Sequence, residues 1–298
     1  MDRLIYNCLD SLFNSSLATE VKDFIGNIMD ALISIFQNKS VNTYFTIFTA
    51  VAASLLIIFF MLDLAQNATR DMITLERLVL AFIKLIIGVV VLMYLPEILD
   101  AIFTFIRLMY EKAATISAKD INKNLGIKFY GQSTFPKYDE DLCEVAGGNV
   151  IKAIATYIDT FLISAVIFLS SWAAKFAAYF FAIGNAINLI AQTIFAPVAI
   201  AQCFDDGSRS VAVRYLKKFA ATGLTFAIML VILYAATVLQ SYLMSTIVKD
   251  LGIKNLEGKA ILEFLSNLTI PLMMLVINLS AVGGLMKANQ LSQDLVGA

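Results

Sequence analysis

The residues best suited to chemistry in this sequence are three basic side chains that follow a short acidic turn. Arg214, Lys217 and Lys218 are spaced i, i+3 and i+4, so they share one face of a helix. The turn before them, residues 205–207, reads Asp-Asp-Gly, and Arg209 lies between the turn and the helix. Such a face binds phosphate, of a lipid or of a nucleic acid, or docks a cytoplasmic protein. The plainer interpretation is a topology signal between two apolar segments.

Enzymatic chemistry has few candidate residues here. The sequence contains no histidine, so the usual general base and the commonest transition-metal ligand are missing. Its three cysteines, Cys8, Cys143 and Cys203, are far apart and have no C-x-x-C spacing. Neither G-x-x-x-x-G-K-[ST] nor G-x-G-x-x-G is present. We therefore expect a non-enzymatic protein that binds no metal and no organic cofactor.

The elements that must position these residues are membrane helices. The chain is 59% hydrophobic and 15% charged, with a mean hydropathy of +0.79, whereas soluble domains carry about 25% charged residues. Its net charge of −1 provides no global field for nucleic acid. The sequence predicts an all-α, polytopic helix bundle in the cell membrane, surrounded by membrane lipids, with five to six transmembrane segments and an N-terminal amphipathic helix.

Four regions follow one another along the chain. The first is interfacial, because apolar residues recur every three or four positions from Leu17 to Phe36. The second contains the predicted spans Tyr44–Leu62 and Leu78–Leu95, followed by an amphipathic extension. The predicted boundaries are 1–43 for the amphipathic region, 44–110 for the first hairpin and extension, 111–150 for a polar central loop, and 151–298 for the remaining helices with a basic loop at 204–218.

The number of crossings depends on the apolar segment Ile151–Cys203. If this segment crosses once, as a broken or partly re-entrant element, the chain crosses the membrane five times. If it crosses twice, there are six crossings. The distribution of basic residues slightly favours six, because residues 111–150 contain five lysines.

Charged residues in the spans form a second group of candidates. Asp63 and Lys84 lie about nine and twelve residues from the connection near residue 72, so antiparallel helices place them at similar depth. We predict a salt bridge, with a pore-lining or proton-relay role and snorkelling to the interface as alternatives. Lys175 follows Asp159 by sixteen residues, about 24 Å along a helix. These two charges are therefore expected at opposite ends of one span.

Two further patterns concern helix packing. Asn185, Asn188 and Gln192 are spaced i, i+3 and i+7, which predicts either interhelical hydrogen bonds or the lining of an aqueous passage. Small residues at four-residue spacing permit close helix approach in lipid. They are Ala174, Ala178, Ala182 and Ala186 in one helix, and Gly284 with Ser280 and Ala288 in another.

The order of these elements resembles the TrbL-like conjugal-transfer family. Its members are polytopic inner-membrane subunits of type IV secretion systems, and the similarity is to those of Gram-positive conjugative elements. The resemblance rests on a segment ending in Ala196-Pro197, a short turn with Gly207, the start Tyr215-Leu216-Lys217 and a long apolar helix. It covers roughly residues 20–290 in order of elements, of which about fifty residues are specific.

The resemblance implies a channel or scaffold subunit rather than an enzyme. Such a subunit assembles with itself, with secretion ATPases and with other type IV secretion membrane subunits to move single-stranded DNA and its attached protein. The usual topology of the family favours five crossings. A single five-helix bundle is too narrow for hydrated phosphates, so a conduit would need several copies. A self-contained small-solute or ion channel or transporter, and a scaffold that never touches substrate, are the alternatives.

Overall fold

The computed structural model describes residues 17–36, 39–70, 75–115, 150–202, 211–250 and 269–297. Within these ranges the chain forms seven α-helices and no strand, which confirms the predicted all-α class for the described part of the chain. The helices are α1 (Leu17–Phe36), α2 (Lys39–Arg70), α3 (Leu75–Met93), α4 (Leu95–Thr115), α5 (Val150–Ile200), α6 (Val211–Asp250) and α7 (Thr269–Val296).

Four of the described helices contain a segment long and apolar enough to cross a membrane. These segments are Thr43–Ala65, Phe168–Ile200, Val211–Leu243 and Leu272–Val296. A fifth crossing is present if α3 and α4, which meet at a bend of 59°, count together as one broken span. The described helices thus fit a multi-pass membrane protein with four or five candidate spans.

The predicted second span, Leu78–Leu95, is only half of that bent pair. Its helical part, Leu78–Met93, has sixteen residues and measures about 24 Å, short of the roughly 30 Å hydrocarbon core. The helix stops because Pro96 has no N–H and its ring clashes with the carbonyl four residues earlier. Tyr94 forms the joint, since its N–H donates to the Val90 carbonyl oxygen at 3.1 Å and its own carbonyl oxygen accepts from Ile98 at 3.0 Å.

Helix α5 is a single element of 51 residues, about 76 Å long. The alternative in which Ile151–Cys203 crosses twice requires a chain reversal, and residues 150–200 contain none. Pro197 lies in the last turn of α5, where it leaves the rest of the helix intact. This segment therefore contributes one candidate span, Phe168–Ile200.

The predicted amphipathic helix forms as α1. Val21, Ile25, Met29 and Leu32, one turn apart, are at most 2% exposed, so their apolar stripe is covered by the protein itself. The opposite face carries exposed polar side chains, among them Glu20, Asp23, Asn27 and Asp30. Helix α4 is built in the same way and buries Leu95, Leu99, Phe103, Ile106 and Tyr110.

The chain divides into two compact units. The first unit is Met1–Ile25, Ala113–Phe181 and Met229–Lys287, and the second is Gly26–Lys112, Ala182–Ile228 and Ala288–Ala298. In the first unit α1 packs on α5, where the rings of Phe24 and Tyr179 have centroids 4.3 Å apart. In the second unit α1 packs on α4 through Phe36 and Phe103, 5.1 Å apart. The candidate span of α6 is 61% buried, against 17–33% for the other three.

Close packing in the second unit leaves too little room for a side chain at one glycine. A Cβ on Gly223 of α6 would overlap the Ile106 side chain of α4, with Cγ1 at 2.8 Å, and Ile106 is only 1% exposed. We predict that Gly223→Ala lowers the free energy of unfolding by about 1–3 kcal/mol through overpacking. Thermal unfolding in one detergent measures this loss.

Gly283 of α7 provides the matched control, because a Cβ there would meet no atom within 4 Å. Gly283→Ala should be neutral or stabilising, since alanine favours the helix by about 0.5–1 kcal/mol. Adding Ile106→Ala should recover part of the loss in Gly223→Ala. Equal stabilities for the two glycine variants would contradict the close α4–α6 approach.

Candidate functional site

The three basic residues singled out by their spacing lie in the first two turns of α6, which begins at Val211. We call Arg214, Lys217 and Lys218 the basic face. Arg214 and Lys218 are exposed and Lys217 is half-buried. Arg209 and the turn at 205–207 lie outside the described residues. The structure thus presents two positive charges, one helical turn apart, on the surface of the second unit.

The end of α7 holds the basic face from one side. Lys217 Nζ donates to the Gly297 carbonyl oxygen at 3.3 Å, where a positive charge also favours the negative end of the helix dipole. Gly297 ends α7 with a φ of +66°, which glycine adopts without steric cost. One turn earlier, the buried Ser292 hydroxyl donates to the Ala221 carbonyl oxygen of α6. Lys217 is therefore a contact between α6 and the end of α7.

A group of polar side chains holds the basic face from the α5 side, and we call Gln192, Tyr215 and Thr222 the amide cluster. Gln192 Nε2 donates to Thr222 Oγ1 at 3.1 Å, and the Thr222 hydroxyl donates to the Lys218 carbonyl oxygen at 2.9 Å. The Tyr215 hydroxyl donates to the Gln192 backbone oxygen. The bonds of Gln192 to Thr222 and Tyr215 hold the first turns of α6 against α5.

One side-chain atom of the amide cluster takes no part in these hydrogen bonds. Gln192 Oε1 is buried and has no hydrogen-bond partner among the described residues. Exchanging the positions of Gln192 Oε1 and Nε2 would not add a hydrogen bond, because Thr222 already donates its proton to the Lys218 carbonyl oxygen. The three amide residues that the spacing singled out have different surroundings. Gln192 bonds across to α6, Asn185 is half-buried, and Asn188 is exposed.

The sequence did not reveal one charge contact in the first unit. Lys175 Nζ lies 2.6 Å from Glu20 Oε2, and the two side chains are 22% and 42% exposed. Lys175 sits inside the candidate span of α5, whereas Asp159 precedes that span. A lysine at such a position needs a nearby anion, which is a signal for a partner but does not identify it. Glu20 and Phe24 of α1 face Lys175 and Tyr179 of α5 with the same four-residue step.

Asp63 and Lys84, the predicted intramembrane pair, lie on α2 and α3. Both side chains are half-buried. These helices pack directly on each other, with the rings of Phe60 and Phe82 5.1 Å apart. The antiparallel arrangement on which the prediction depends is therefore in place, and the salt bridge itself stays a prediction.

A second interhelical amide, Asn278 of α7, lies in the first unit. Its Nδ2 atom donates to Ser170 Oγ at 3.0 Å and lies 3.3 Å from Ser171 Oγ, so it joins α7 to α5. The sequence signal was a pair of serines within an apolar segment, and nothing local points from it to Asn278. Beside this contact, an apolar cleft of about 560 Å³ lies between α6 and α7, with Ile232, Leu239 and Val276 among its lining residues.

The predicted packing residues are placed as follows. Ala174 and Ala178 are buried in the first unit, and Ala182 and Ala186 in the second. Gly284 is half-buried on α7, where a Cβ would lie 2.9 Å from Ile232 Cγ2 of α6. Helices α6 and α7 therefore approach closely at this point of the first unit.

The part of the chain that the structure describes contains no candidate metal site, because no three His, Cys, Asp or Glu side chains are grouped suitably there. Cys8, Cys143 and Cys203 lie outside the described residues.

The fold and the site define an all-α chain with four or five candidate membrane spans and a firmly held basic helix start. Comparisons with protein-family models, with curated proteins and with solved structures find no match.

The amide cluster generates a prediction of opposite effects for two apolar substitutions. Thr222→Val removes the acceptor of Gln192 Nε2 and leaves both ends of a buried amide unsatisfied, so we expect a loss of about 1–2 kcal/mol. Gln192→Leu removes the amide together with its orphaned oxygen, and should be nearly neutral or stabilising. Equilibrium unfolding in mixed micelles measures both changes.

Thr225→Val is the matched control, because the Thr225 hydroxyl bonds only to Ala221 of its own helix, at 3.0 Å. It should have little effect on stability. If Gln192→Leu were as destabilising as Thr222→Val, the proposed asymmetry of the cluster would be wrong.

The Glu20–Lys175 contact is tested by a double-mutant cycle with Glu20→Gln and Lys175→Met. We expect a coupling free energy of about 1–2 kcal/mol, between the values for exposed and buried pairs. The control cycle uses Asp30 and Arg107, which lie 3.5 Å apart and are 70% and 44% exposed. Its coupling should stay below about 0.5 kcal/mol. A smaller coupling for Glu20–Lys175 than for the control would contradict the contact.

Proposed function

We propose that this chain is a non-enzymatic membrane subunit of a type IV secretion, or conjugation, machine. In this role it forms or scaffolds the inner-membrane translocation channel for single-stranded DNA and attached protein, as a homo-oligomer. The resemblance of the segment from Ala196-Pro197 through Tyr215-Leu216-Lys217 to the TrbL-like family is the reason for this choice of machine.

The strongest support is that the basic face lies on a helix start that is bonded to its neighbours. The Tyr215 hydroxyl donates to the Gln192 backbone oxygen of α5, and the Ser292 hydroxyl of α7 donates to the Ala221 carbonyl oxygen. Arg214 and Lys218 are exposed on this helix start. Exposed positive charge suits contact with a partner such as a secretion ATPase or the phosphates of transferred DNA.

The homo-oligomer follows from size. Phe219 and Phe226 fill the interior of the second unit, and each is at most 1% exposed. A DNA strand with its hydrated phosphates needs a wide aqueous passage, because a bare phosphate in hydrocarbon is prohibitively costly. Such a passage would lie between several copies of the chain.

The first experiment is conjugative transfer from a donor with this gene deleted in frame. We expect transfer to be lost and to return when the wild-type gene is supplied. Unchanged transfer would overturn the proposal. Solute flux through proteoliposomes containing only this protein would then support the alternative, a self-contained small-solute or ion channel.

The basic face is tested in the complemented strain. Replacing Arg214 and Lys218 together by alanine removes both exposed charges and should reduce transfer about 10- to 30-fold, at about 1 kcal/mol per basic residue near an anionic surface. The amount of membrane-inserted protein should not change. Adding Lys217→Ala should impair transfer further, partly by releasing the Gly297 contact.

The matched control keeps the charge and changes the side chains. Arg214→Lys combined with Lys218→Arg should transfer at nearly the wild-type level. Normal transfer by a stably inserted alanine variant would reduce the basic face to a topology signal.

A further inference from the structure

Helix α5 has two kinds of exposed surface in the second unit. One is bulky and apolar, with Ile183 and Ile187 46% and 62% exposed, and suits lipid chains. The other lies beside it and consists of Gly184 and Asn188, both exposed and one helical turn apart. We call this second surface the glycine–amide face.

Asn188 is the unusual residue of this face. It lies within the candidate span Phe168–Ile200, twelve residues or about 18 Å before its end. Asn185 is half-buried and Gln192 bonds to α6, whereas the Asn188 side chain is exposed and makes no hydrogen bond among the described residues. Hydrocarbon offers no partner to an amide, so whatever covers Asn188 must carry hydrogen-bonding groups.

Gly184 allows such an occupant to come close. A Cβ at this position would meet no atom of the chain within 4 Å. A small residue on an open face lets a second helix backbone approach within the reach of a short side chain. The open section is bounded further along α5, where Phe195 packs on Phe48 of α2 with ring centroids 4.8 Å apart.

We propose that the glycine–amide face packs against the same face of a second copy of this chain. An amide is both donor and acceptor, so Asn188 of each copy can bond to Asn188 of the other. A surface that satisfies itself in this way is the requirement for a two-fold, isologous contact. Lipid cannot meet this requirement, and Gly184 opposite Gly184 leaves room for the two helices to touch.

The test compares the number of protomers per particle in lipid nanodiscs, counted by single-molecule photobleaching. Gly184→Leu blocks the close approach and should fold normally, because the added side chain enters open space. Asn188→Leu removes the amide, whereas Asn188→Gln keeps it. We expect the two leucine variants to associate about 3- to 20-fold more weakly than wild type, and Asn188→Gln to associate nearly normally.

Gly283→Leu is the matched control. Gly283 is exposed and a Cβ there would also meet no atom within 4 Å, but the residue one turn on is Lys287 and not an amide. This variant should assemble as wild type does. Wild-type protein that stays monomeric, or leucine variants that assemble normally, would overturn the proposal.

A cysteine crosslink identifies the occupant. With Cys8, Cys143 and Cys203 replaced by serine, Gly184→Cys, which keeps the Asn188 amide, should form a disulfide-linked dimer under mild oxidation, and Ile187→Cys on the lipid surface should not. Protection of Gly184→Cys without a dimer would assign the face to a different membrane protein, and full reactivity would assign it to water. The inference rests on the proposed homo-oligomer, yet loss of transfer in the deletion strain would stand even if these variants assemble normally.

Discussion

Most polar side chains in the apolar helices described above find a hydrogen-bond partner within the protein, as is required where hydrocarbon supplies none. Threonine and serine hydroxyls in the spans bond back to the carbonyl one turn earlier, as Thr49 does to Phe45 and Thr237 to Leu233. Longer side chains reach across to another helix: Gln192 to Thr222, Asn278 to Ser170, and Lys175 to Glu20. These few contacts fix which helices are neighbours, since apolar burial alone does not distinguish one helix from another in lipid.

Local patterns in the sequence were sufficient for the all-α class of the described residues and for the buried face of α1. The four-residue step from Val21 to Leu32 identified the side of α1 that the structure buries. Contacts between distant helices were not predictable in this way. Glu20 and Lys175 are 155 positions apart. A single lysine in a span predicts a nearby anion, but it does not identify the residue that supplies the negative charge. The bend at Tyr94 is an intermediate case, because a proline such as Pro96 accounts for the end of a helix but not for the 59° angle between α3 and α4.

The glycines also show that contacts between distant helices cannot be predicted from local sequence. Gly223 touches Ile106 so closely that even a methyl group would overlap it, whereas Gly184 faces open space. Both occur in apolar helical sequence, and neither has a local signature that separates them. The difference arises from which helix lies opposite, so it is a property of packing rather than of propensity.

Helix α5 is also a mechanical element. Its eighteen residues before Phe168 extend the rod by about 27 Å beyond the candidate span, with no break in the hydrogen-bonded backbone. An unbroken helix resists bending, so successive turns of α5 keep a fixed rotation about the helix axis. The joint at Tyr94 between α3 and α4 interrupts the helix instead, and a bent connection changes its angle more readily than a continuous helix does.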